Sequence, residues 1–87
     1  MNKKYYFSTI DKDVKRVLGK KLYKKCYDKH GFIVAERSDG SAEYHLNYEA
    51  YNKLKSYMLE HKRSRLYKSW TGCKDGYNLR FEVNSWQ

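Results

Sequence analysis

Residues 11–30, DKDVKRVLGKKLYKKCYDKH, constrain this chain more than any other stretch. They hold eight of its nineteen Lys and Arg residues. Val14, Val17, Leu18 and Leu22 recur at helical spacing and predict a buried stripe. Asp11 and Asp13 stand where a helix start needs acceptors and negative charge. Lys29 and His30 fall in the last turn, and Gly31 can take the left-handed conformation that ends a helix. On this helix Lys12, Arg16, Lys20 and Lys24 fall opposite the stripe and form an anion-binding face. Gly19 marks a bend or break, since glycine inside a helix costs about 1 kcal/mol against alanine. Two readings of Tyr23 and Tyr27 stay open. They join the core after the bend, the commoner use of tyrosines at helical spacing, or they stand among the basic residues as a stacking surface.

The rest of the 87 residues organises around that helix as one domain, 1–87. Residues 4–10 are aromatic and β-branched and read as a first strand. Phe32–Arg37 and Ala42–Leu46 flank the turn-forming Ser38-Asp39-Gly40-Ser41, which predicts a hairpin. Asn47 is a good N-cap for an amphipathic helix over 48–62, with Ala50, Tyr51, Leu54, Tyr57 and Met58 on one face. Leu66–Trp70 reads as a fourth strand, Thr71–Gly76 as a turn, and Tyr77–Val83 as a fifth strand. The expected fold is α+β, order β-α-β-β-α-β-β. This is a ferredoxin-like layout with an extra C-terminal strand, two helices on one face of an antiparallel sheet and the other face open.

The formal net charge is +9. Clustering turns that number into a surface: the helix face is one group, and Lys62, Arg63 and Arg65, with Lys68 nearby, form a second. Such a balance points to a polyanion, RNA before DNA. Arg63 and Arg65 can grip phosphate with two bonds or stack on a base. No run approaches the length of a membrane span, and the start lacks an apolar signal segment. Cys26 and Cys73 do not make a disulfide framework, so a cytoplasmic protein with reduced thiols is expected.

Catalytic and metal chemistry are weaker readings. Cys26 and His30 are spaced i, i+4, and His61 and Cys73 could complete a zinc site, but no second close pair exists. A metal-independent ribonuclease needs a base, an acid and a cation around the phosphate. His45 is the best candidate for its base, ahead of His30 and His61. The expectation is no enzyme, no metal and no cofactor. An open sheet face bearing Tyr5 or Tyr6 and Tyr44 or His45 is similar in layout to RNA-recognition motifs, without their signature, so the binding mode does not transfer.

In size, charge and Lys- and Tyr-rich character over its full length, the chain resembles small early proteins of large bacteriophages. More narrowly, it resembles the TifA-like RNA-binding proteins that counter host type III toxin–antitoxin systems. The resemblance rests on no motif and places no functional residue. It implies a non-enzymatic RNA binder, dimeric, acting in the host cytoplasm, with a toxin–antitoxin complex as a further partner. A homodimer is also expected from the small core, the aromatic excess and the fifth strand, with Phe81, Val83 and Trp86 at the interface. The alternatives are an inhibitor covering an acidic host protein and a small ribonuclease.

Overall fold

The computed structural model describes residues 5–30, 34–36, 41–72 and 77–83, with side chains for 5–25, 41–72 and 77–83. Its elements run α1 (Phe7–Leu18), α2 (Lys20–His30), β1 (Val34–Glu36), β2 (Ser41–His45), α3 (Tyr48–Glu60), α4 (Arg65–Ser69) and β3 (Asn78–Glu82). Helix and strand mix as an α+β fold requires, but the expected seven-element order does not hold. Two of the expected strands are helices.

The first correction is residues 4–10. Among the described residues of this stretch only Tyr5 pairs as a strand, in a parallel bridge to Val83. From Phe7 the chain is helical, because Ile10 belongs to the stripe of Val14 and Leu18 and all three are buried. The amides of Thr9 and Ile10 already donate to the Tyr6 carbonyl. Asp11 and Asp13 are therefore inside α1, and Tyr6 caps it without a side-chain bond. The second correction is 66–70. Ser64 accepts from the Tyr67 amide at 3.2 Å and starts the short helix α4. Trp70 alone reaches the sheet, bridging to Phe81, and the Thr71 amide donates to the Arg80 carbonyl at 2.9 Å. Tyr5 and Trp70 thus line the edge of β3 that β2 leaves free, which blunts it against pairing with another chain.

The hairpin and the last strand form as expected. The sheet is antiparallel in the order β1-β2-β3. Its register pairs Ala42 with Phe81 and Tyr44 with Leu79, so these four side chains share one face. That face packs under the helices in one core with Ile10, Val14 and Leu18 of α1, Ala50, Leu54 and Met58 of α3, and Leu66 of α4. Tyr44 and Phe81 meet edge to face at 5.7 Å between ring centroids. Tyr44 is therefore core and not an exposed stacking residue, and buried Phe81 and Val83 are closed to a partner subunit. The other face carries Glu43, His45 and Arg80; Glu43 is itself largely buried. The expected turns at 38–41 and 71–76 fall mostly outside the described residues, as do Cys73 and the tail with Trp86. Among the described residues no helix is long and apolar enough to cross a membrane.

Candidate functional site

Gly19 breaks the long basic helix into α1 and α2. Its φ of 87° and ψ of 155° lie in a region that other residues enter only with strain. Its amide closes α1 on the Lys15 carbonyl at 2.9 Å, and its carbonyl accepts from Tyr23 in the first turn of α2. Lys53 of α3 adds a bond from its Nζ to the Leu18 carbonyl at 3.3 Å, a cation on the negative end of α1. The break changes which cations share a surface. A groove of about 430 Å³ is lined by Lys15, Arg16, Lys20, Tyr23 and Lys24. Lys12 is separated from the other three expected members and lines a different groove, with Phe7, Ser8, Thr9, Asp11 and Lys15. Lys15 was missed, because a single unbroken helix does not place it with Lys20 and Lys24.

The two acids of α1 beside this surface, Asp11 and Asp13, meet Lys15 and Arg16 and are shared with other donors. Asp11 accepts two hydroxyl bonds on Oδ1, from Tyr23 and from Tyr44, each at 2.8 Å. Lys15 stands 3.5 Å from its other oxygen and 5.1 Å from the Tyr23 ring centroid. Burial pushes the Tyr44 hydroxyl well above its ordinary value, and the Asp11 charge pushes it further. The tyrosine thus stays protonated and donates. This partly buried setting puts Tyr23 with the core and not among free aromatic faces. The side chain of Tyr27 lies outside the described residues, as do those of Cys26 and His30.

Asp13 is buried on the far side of α1, 2 % exposed. Nε and Nη2 of Arg65 donate to its two oxygens, the latter at 3.1 Å. Arg16 Nη1 lies 3.2 Å from Oδ1 of the same carboxylate. The hydrogen bond and the charge of Asp13 both raise the already high pKa of Arg65. One carboxylate therefore joins an arginine from each of the two expected basic groups. Both guanidinium groups keep a solvent face, with side chains 62 % exposed for Arg16 and 43 % for Arg65. Arg65 also pins α4 to α1, a structural task its sequence position does not announce. Lys62 and Arg63 stand exposed in the turn between α3 and α4, and, like Lys20 and Lys24, carry no ion pair among the described residues.

The histidines are distributed differently. His61 accepts or donates through Nδ1 at the Tyr57 carbonyl, 2.9 Å away, and stacks on the Tyr57 ring. His45 lies 3.5 Å from Glu43 Oε2, and Arg80 lies 3.7 Å from Glu43 Oε1. A base, a carboxylate and a cation do meet on the polar sheet face. Among the described residues no group of three His, Cys, Asp or Glu side chains could hold a metal. The sequence matches no protein-family model, and no curated protein or solved structure is significantly similar to it.

Proposed function

We propose that this is a non-enzymatic RNA-binding protein that holds phosphates through the α1–α2 groove. The observation that carries the proposal is uncompensated charge. Lys20 and Lys24, one turn apart on α2, carry no ion pair among the described residues and repel each other by a few tenths of a kcal/mol. Asp11 is committed to two hydroxyls and to Lys15, Asp13 to the inner edge of the Arg16–Arg65 pair, and Glu60 lines the adjoining cleft with Arg16 and Lys53. A cluster that repels itself is stabilised when a polyanion supplies the counter-charge. Arg16 lines the groove and shares Asp13 with Arg65, while Lys62 and Arg63 stand exposed in the turn before α4 as a second cationic group. Lys12 contributes from the neighbouring groove. On the TifA-like resemblance, the proposal extends to a homodimeric inhibitor of a host type III toxin–antitoxin complex, acting in the host cytoplasm. Phe81 and Val83 have no part in that dimer. The second reading is a ribonuclease built on His45, Glu43 and Arg80, favoured by their meeting on one face.

The test is the salt dependence of binding to a labelled single-stranded RNA. Every phosphate that goes without its cation flattens the log–log slope by about 0.7. Lys20→Gln with Lys24→Gln is expected to flatten it by about 1.4 units and to weaken binding to all sequences alike. Lys21→Gln with Lys25→Gln removes the same charge from the same helix outside the groove, and is expected to change little. Equal weakening by the two pairs overturns the groove as the site. The RNA is expected to stay full length throughout; cleavage that disappears in His45→Ala establishes the ribonuclease instead.

A further inference from the structure

The second surface of interest lies away from the groove. Tyr48 and Tyr51 on the first turns of α3 and Tyr77, the residue before β3, gather at the protein surface. Tyr48 is 62 % exposed and Tyr77 47 %. The Tyr77 ring centroid lies 5.4 Å from that of Tyr48 and 5.5 Å from that of Tyr51. The rings meet edge-on or tilted, with interplanar angles of 68° and 50°, so they are not stacked on one another. The Leu46 amide holds the Tyr77 carbonyl at 3.1 Å, which fixes the backbone beneath that ring. Lys55 completes the group. Its Nζ donates to the Tyr51 hydroxyl at 3.3 Å and stands 5.4 Å from the ring centroid.

The position on α3 separates this group from the basic groove. Ala50, Leu54 and Met58 form the buried stripe of the helix. Tyr48, Tyr51 and Lys55 flank it on one side. Lys53, Ser56 and Glu60 flank it on the other, where they line a cleft with Arg16 of α1. Glu49 projects on that second side at helical spacing, so the α3 residues of the aromatic group include no carboxylate. Two exposed rings backed by the part-buried Tyr51, one lysine among them and a chain of net charge +9 fit a ligand that is aromatic and anionic at once. A second copy of the chain fits poorly, since a symmetric contact would set one Lys55 near the other.

We infer that Tyr48, Tyr51 and Tyr77, with Lys55, form a stacking platform for the unpaired bases of a single-stranded RNA. The inference rests on the RNA-binding reading and adds to it a preference for unpaired strands. The groove holds phosphate without regard to base; the platform holds the flat faces of bases and uses Lys55 for the phosphate between them.

The experiment compares two labelled oligomers of about twelve units, one a mixed-sequence single-stranded RNA and the other the same ribose–phosphate backbone without bases. The wild-type protein is expected to bind the first about tenfold more tightly or better, the measure of stacking on one or more rings. Tyr48→Ala with Tyr77→Ala is expected to erase that preference while leaving the salt slope intact. Both rings are exposed, and circular dichroism confirms the fold. Tyr77→Trp, with a larger ring, is expected to keep the preference. Equal wild-type binding of the two oligomers overturns the platform and leaves the phosphate-directed reading standing. Binding of neither overturns both. A double alanine variant that changes from dimer to monomer in light scattering makes the patch a self-interface and overturns the platform as well.

Discussion

The two sides of α1 are held by the same chemical group used in two ways. Asp11 and Asp13 sit about 200° apart around the helix, on either flank of the Ile10–Val14–Leu18 stripe. On one flank Asp11 draws hydroxyls inward, one from α2 and one from the centre of the sheet. On the other Asp13 draws guanidinium groups down from the surface, one from α1 itself and one from α4. The first arrangement buries neutral donors against a charge. The second leaves half-exposed cations against a buried charge. The groove draws on both flanks, with Lys15 and Tyr23 from the Asp11 side and Arg16 from the Asp13 side.

The largest expected effect breaks the inward side. Asp11→Ala strands the buried Tyr44 hydroxyl and removes the acceptor of the Tyr23 hydroxyl, at a cost of about 3 kcal/mol in urea unfolding, and that cost should depend little on salt. Asp13→Asn should cost about 2 kcal/mol. Breaking a fully buried ion pair costs more, but here water screens both arginines. This cost should shrink as salt rises. Equal costs with the same salt response would dissolve the distinction between the two flanks.

The smallest effect sharpens it. Tyr44→Phe removes one of the two hydroxyls on Asp11 and should cost about 1 kcal/mol at neutral pH. The folded hydroxyl titrates far above the 10.0 of the unfolded chain. Below about pH 10 both states hold the proton, and its stabilising effect is complete. Above that the unfolded chain releases it and the folded one does not, so stability falls by up to about 1.4 kcal/mol per pH unit from this group. Urea midpoints between about pH 9 and 11 should therefore decline more gently in Tyr44→Phe than in the wild type. Parallel declines would mean that Tyr44 does not hold its proton against Asp11.

The element readable from local signals was α3, where Asn47 accepts from the Ala50 amide at 2.8 Å and every buried residue lies on the expected stripe. The hairpin and β3 were readable for the same reason, since alternation and turn residues agreed. The break at Gly19 was also visible. What was not visible is where tertiary contacts replace local ones. α1 begins without a capping side chain or an acid in its first turn, so aromatic and β-branched residues made it look extended. Ile10, four residues before Val14, was the available clue. α4 is five residues long, too short for periodicity, and Ser64 was its only marker. Of the four cations expected on one face, Arg16, Lys20 and Lys24 line one groove, whereas Lys12 lines another because the helix breaks at Gly19. No property of residue 65 alone announces that it binds residue 13.

The bonds that hold α1 also dictate when it can settle. Asp11 reaches 33 positions along the chain to Tyr44, Asp13 reaches 52 to Arg65, and Tyr5 waits for Val83. Every one of those partners emerges from the ribosome later than the helix it secures. During synthesis the carboxylates of α1 gain Tyr23, Tyr44 and Arg65 in turn, and the Tyr5 bridge closes only when Val83 arrives. Closing such distant contacts slows folding relative to a helical bundle of the same length. Until they close, Lys12, Lys15 and Arg16 ride on a helix that lacks the distant contacts which later secure it.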